Sequence, residues 1–116
     1  MSHTQSVGRW GEQAAAEYLQ QHGYTITERN VRTPHGEIDL VACWEGITVF
    51  VEVKARTTRT FGPPELAVTP RKQAHMLACA DDYARLHEID HWQIDVIAVR
   101  RLGDKTEIVH FENALS

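Results

Sequence analysis

Long apolar runs are missing from this chain of 116 residues. No stretch approaches the roughly 20 apolar residues that a membrane-crossing helix needs. Cysteine is scarce: Cys43 and Cys79 stand alone with no CxxC pair, which excludes a disulfide scaffold and leaves a reduced, cytoplasmic chain as the expectation. The opening stretch, MSHTQSVGRWGEQ, lacks the basic and apolar regions of a secretory leader. There is no glycine-rich phosphate loop, no HExxH and no nucleophile elbow, so NTPase, zinc-protease and α/β-hydrolase chemistry have no footing. The seven histidines are scattered, and only His87 and His91 fall four apart, across the expected end of a helix. Positive charge is in deficit, 12 Lys+Arg against 16 Asp+Glu for a net charge of -4.

What is present is ordinary globular material, 42% hydrophobic and 24% charged. The length suits one domain spanning residues 1–116 around one core. The charge is uneven. Residues 29–72 hold seven bases (Arg29, Arg32, Lys54, Arg56, Arg59, Arg71, Lys72) and five acids, whereas the flanking segments are both acidic. A locally basic middle in an acidic chain is the distribution that bears on an anionic partner.

Periodicity predicts a helix over 6–22 closed by Gly23, then a strand over 24–31. Two β-rich runs follow, Gly36 to Trp44 and Ile47 to Lys54, around a Glu45-Gly46 hairpin turn. Residues 55–68 read as a loop. Thr69-Pro70 reads as a helix start, with Thr as N-cap and Pro in the first turn, and that helix should reach about His87. Strands are expected over Trp92 to Arg100 and Thr106 to Glu112. The order α-β-β-β-α-β-β implies an α/β fold with a mixed sheet flanked by helices.

Chemistry concentrates in the hairpin. A turn centred between Glu45 and Gly46 sets Asp39 opposite Glu52 and Glu37 opposite Lys54, all four on one face by strand alternation. The other face, Ile38 with Val53, Leu40 with Val51 and Ala42 with Val49, is wholly apolar. Val41 opposite Phe50 and Cys43 opposite Thr48 suggest that the charged face is also largely buried. Two carboxylates facing each other at about 5 Å between Cβ atoms weaken a hairpin. A divalent cation resolves that repulsion, since Mg²⁺ takes hard oxygen ligands. Lys54 beside them brings positive charge to a place where negative charge can develop.

Glu12 shares a helical stripe with Ala15, Ala16 and Leu19, so it should face the sheet, with Gly8 and Gly11 permitting close approach. On the second helix Gln73 shares a stripe with Met76, Leu77 and Ala80, and Lys72 lies one position away. Either can reach an anion at that helix's start.

Asp39 followed by Glu52-Val53-Lys54, with an acid in a preceding helix, resembles the PD-(D/E)xK nuclease superfamily. More closely, Gly11-Glu12, Gly36-Glu37-Ile38-Asp39-Leu40, Phe50 to Arg56 and Phe61-Gly62 resemble the YraN-like family of small bacterial proteins, over nearly the whole chain. The resemblance implies a restriction-endonuclease-like αβββαβ(β) core, similar in layout to Holliday-junction resolvases. It implies that Asp39 and Glu52 ligate Mg²⁺ or Mn²⁺, one or two ions, with the Val53 carbonyl, and that Glu12 adds a ligand directly or through water. Lys54 would orient the attacking water and steady the phosphate, and Gln73 or Lys72 would support the site. Glu37 would serve to hold Lys54. The superfamily's proline before the aspartate is absent, Ile38 standing in its place.

The expectation is a metal-dependent endonuclease that hydrolyses nucleic-acid phosphodiester bonds, with DNA as the polymer and branched or junction DNA among its substrates. Arg56, Arg59, Arg71 and Lys72 would bind flanking phosphates. Asp39→Asn should then abolish cleavage and leave the melting temperature little changed. The alternative is a catalytically silent nucleic-acid-binding module, or a module that docks a DNA-processing complex, on the same fold. A homodimer formed through the hairpin or the last strand is a further expectation.

Overall fold

A computed structural model of the chain describes residues 3–56 and 69–115, with side chains from residue 8 onward. Helix α1 spans His3–Gln21, and strands β1 (Thr25–Thr33), β2 (Gly36–Trp44) and β3 (Ile47–Arg56) follow it. Helix α2 (Pro70–Leu86) leads to β4 (Trp92–Leu102) and β5 (Lys105–Phe111). The order is the one the sequence implies, with β2 as expected and no boundary moved by more than three residues. The five strands form one sheet in the order β1-β2-β3-β4-β5. Only β3 and β4 run parallel; the other neighbours are antiparallel. A parallel pair cannot be joined by a tight turn, so the chain must cross over between β3 and β4, and α2 lies in that crossover.

Local chemistry explains the turns. Glu45 and Gly46 both take positive φ, 48° and 80°, the pair of left-handed conformations a two-residue hairpin loop demands. Thr69 caps α2 with extended backbone, and its hydroxyl accepts from the Lys72 N–H at 3.2 Å, while Pro70 occupies the first turn, where no N–H is required.

The sheet is buried on both faces. Ala15, Ala16 and Leu19 of α1 are completely buried against Leu40, Ala42, Val49, Val51, Ile97 and Val99. On the opposite side Cys79, Ala80 and Tyr83 of α2 pack on Ile38, Val41, Phe50 and Ile94. Burial from both sides explains why β4 reads as a nearly unbroken apolar run, Ile94 to Val99 being buried throughout. Asp95, inside that run, is fully buried and is the one buried charged residue among those described.

Candidate functional site

The hairpin register is the expected one where the strands pair: Leu40 faces Val51, Val41 faces Phe50, and Trp44 faces Ile47. The ladder ends at Leu40–Val51, one residue short of the charges. Beyond it the strands part, and Asp39 turns its carboxylate to accept the Val53 N–H at 2.8 Å. A side chain thus meets a strand donor that has lost its ladder partner. This departure corrects two expectations. Ile38 does not pair with Val53 on a shared apolar face: it joins Val41 and Phe50 under α2, whereas Val53 packs on the α1 side. Glu37 does not hold Lys54: it is exposed and stands across from Arg32 of β1. Cys43, expected on a buried face, is exposed.

Lys54 instead donates to Glu52, two residues back on its own strand, at 3.1 Å. Both side chains are largely covered, Lys54 to 14% exposure and Glu52 to 22%. Asp39 completes the centre. Burial first, then the facing Glu52 carboxylate and then Glu12, raise its pKa from 3.8 to about 7, against a lowering by the Val53 hydrogen bond. Asp39→Asn therefore removes a strained charge rather than a neutral bystander, and the expectation of an unchanged melting temperature gives way to one of stabilisation.

Glu12 reaches this centre because α1 lies close against β3. Gly11 is buried, and a Cβ there would stand 2.5 Å from the Ala55 Cβ. Gly8, expected to share that role, faces open space. Partial burial raises the Glu12 pKa, an Asn30 side-chain hydrogen bond lowers it, and the charges of Glu37 and Glu52 raise it. Among the described residues no three His, Cys, Asp or Glu converge as a ready cage for a metal ion. The convergent donors are two, Asp39 and Glu52. That suits Mg²⁺, which is commonly held by one or two carboxylates and fills its shell with waters and substrate oxygens. Glu12, at longer range, fits a role through water.

From the other side, α2 brings Lys72 against Lys54; that ammonium, with Arg56 beyond it, lowers the Lys72 pKa. Gln73 lies half-buried in the first turn of α2, its N–H bonded to the Thr69 carbonyl at 2.9 Å. Arg56 ends β3 and donates to the Ala55 carbonyl at 3.0 Å. Arg71 is exposed beside Lys72, and Arg59 lies outside the described residues. A small recess lined by Glu37, Ile38, Phe50, Glu52, Met76 and Cys79 opens beside the carboxylates, with about 20 Å³ enclosed, room for one or two waters.

Sequence reasoning missed a second polar cluster on the α1 side. The buried Asp95 accepts from His110 Nε2 at 2.6 Å, Gln93 Nε2 at 2.9 Å and the Asn113 N–H at 2.9 Å. The other ring nitrogen of His110 meets the Tyr18 hydroxyl at 3.1 Å. A lone acid inside WQIDVIAV was the available signal. Every group here is satisfied, and no buried side-chain polar atom among the described residues lacks a partner. The cluster therefore reads as a structural lock between α1, β4 and β5.

A family model described as "Uncharacterised protein family UPF0102" matches residues 11–99, which span the carboxylate centre, all of α2 and the part of α1 from Gly11 onward. A UPF0102 protein of Syntrophotalea carbinolica is 47% identical over 111 residues, 94% of this chain and 90% of that protein. One from Geobacter metallireducens is 43% identical over 114 residues, covering 97% and 93% of the two chains. One from Dehalococcoides mccartyi is 39% identical over 111 residues, covering 94% and 92%. With the family model matching most of its length and relatives aligned nearly end to end, the chain belongs to the bacterial UPF0102 family, the YraN-like family that its motifs resemble.

Proposed function

We propose that the protein is a metal-dependent phosphodiesterase acting on nucleic acid, with DNA as its polymer and the opening between β2 and β3 as its active site. One observation carries the reading. Asp39 sits mostly buried at the end of two apolar strands, its carboxyl pushed up to about 7 with Glu52 facing it and Lys54 bonded to Glu52. Such an acid pair costs the fold stability, and a structural protein would gain by replacing either member. Asp39 and Glu52 would hold Mg²⁺ or Mn²⁺, with the Val53 carbonyl and waters beside them and Glu12 acting through water. When bound, the cation supplies Lewis acidity and an activated water. Lys54, on a short strand-borne tether beside Glu52, places an ammonium where charge grows on the phosphoryl oxygens. A cation held here would favour the Asp39 carboxylate, its proton passing to solvent, and the Val53 N–H keeps that carboxylate aimed.

The test is a calorimetric titration of the chain with Mn²⁺, then Mg²⁺, set beside Asp39→Asn, followed by cleavage assays on duplex and junction DNA. The reading expects binding that disappears in the variant and cleavage that requires both Asp39 and Lys54. Metal-independent cleavage, or cleavage retained by Asp39→Asn, would refute it. DNA binding with no cleavage at any cation concentration would leave the silent binding module in its place.

A further inference from the structure

Beside the carboxylate centre lies an open cleft of about 670 Å³, lined by His35, Thr69, Arg71, Lys72, His75 and the alanines of α2 between them. Two separate elements build its described lining. Arg71, Lys72 and His75 come from the first two turns of α2, and His35 from the turn joining β1 to β2. Among the described residues, no carboxylate and no phenyl, phenol or indole ring lines it. In a chain of net charge -4, a cleft whose described lining is cationic, imidazole, hydroxyl and methyl groups is a local reversal of sign.

The two imidazoles are held in place. Asp82 meets Nδ1 of His35 at 2.6 Å. Nε2 of His75 donates to the His35 carbonyl, a group that can only accept, so the ring is tied across the turn through that nitrogen. The ring also lies where a side chain on Gly36 would stand, so the turn and α2 are closely apposed at the cleft's far end. At its near end Lys72 belongs to both places, lining the cleft and standing against Lys54, with the charge of Arg56 beyond it. Like charges drawn together beside an open cavity are unfavourable by themselves, and an anion between them reverses the sign of that interaction.

We propose that this cleft seats the phosphodiester backbone flanking the cleaved bond, through Arg71 and Lys72 and without regard to base sequence. The proposal rests on the phosphodiesterase reading for its polymer and extends it with a path, leading from Lys54 past Lys72 to the turn at His35. Base readout needs groups aimed at base edges, and base stacking is served by aromatic platforms. The described residues of the lining offer point charges and a hydroxyl, the inventory of phosphate contact.

The experiment measures fluorescence anisotropy of a labelled DNA duplex of about 20 base pairs with the full chain in EDTA. Salt is varied from about 50 to 200 mM, the range over which phosphate contacts dominate the change in affinity. Arg71 and Lys72 are exposed, so Arg71→Ala/Lys72→Ala should fold, and its melting temperature checks that it does. Each phosphate contact contributes about 0.9 to the slope of log K against log salt, so the double variant should bind more weakly with a slope shallower by about 1.8. Two duplexes of unrelated sequence should bind the wild type alike. An unchanged slope in a folded double variant, a tenfold preference for one duplex, or no binding by the wild type would overturn the proposal. Cleavage of the same duplex in Mg²⁺ separates the two readings. Cleavage with an unchanged slope sinks the cleft and spares the nuclease, whereas a shallower slope with no cleavage spares the cleft alone.

Discussion

Asp39→Asn offers the sharpest physical test, because its effect on stability has a sign that intuition about site residues misses. The wild-type carboxyl is raised from 3.8 to about 7 in the folded chain, chiefly by burial and then by Glu52. Between those two values the folded state holds a proton that the unfolded chain has released, so folding stability falls as pH rises. The contribution of Asp39 is fully present below about 3.8 and is lost as pH climbs to about 7. A displacement of that size corresponds to on the order of 2–4 kcal/mol at pH 8. Asparagine has nearly the shape of the protonated acid, carries no charge, and keeps an oxygen to accept the Val53 N–H. In EDTA, Asp39→Asn should match the wild type near pH 3.5, gain on it by up to about 1.4 kcal/mol per pH unit through the interval, and level off above pH 7. Urea denaturation across that range reads the difference directly. Equal stabilities at pH 8, or a gain that does not vary with pH, would show that Asp39 carries no strained charge. Saturating Mn²⁺ should then stabilise the wild type and leave the variant unmoved.

Two further perturbations probe the scaffold. Gly11→Ala forces a Cβ to 2.5 Å from the Ala55 Cβ, so chemical denaturation should show a loss of about 1–3 kcal/mol, largely recovered in Gly11→Ala/Ala55→Gly; a fully stable single variant would refute the close approach of α1 to β3. His110→Ala takes one partner from the fully buried Asp95 carboxylate and should cost about 3 kcal/mol at neutral pH, whereas Tyr18→Phe should cost about 1 kcal/mol. Equal and negligible losses in these two would mean that the cluster is not a lock.

The chain's periodicity and turn chemistry determined much of what is local. The Glu45-Gly46 pair set the hairpin and its register, Thr69-Pro70 set the start of α2, and the helical or alternating spacing of apolar residues set seven elements in their order. The acids Asp39 and Glu52 were legible as neighbours for the same reason, since a short loop leaves little freedom in pairing. Tertiary structure decided what those acids experience. The ladder stops one residue before them, so Asp39 bonds the Val53 N–H, Ile38 changes sides, and Glu37 turns to solvent, leaving Lys54 to Glu52. None of this follows from strand alternation, which holds only while strands remain paired. The approach of Lys72 to Lys54 depends on where α2 lands after crossing over, and the joining of Tyr18, Asp95 and His110 depends on contacts up to 92 residues apart in the chain. Local sequence carries rotational preference and turn geometry; the meeting of distant side chains is set by how the helices pack on the sheet, which only the folded chain resolves.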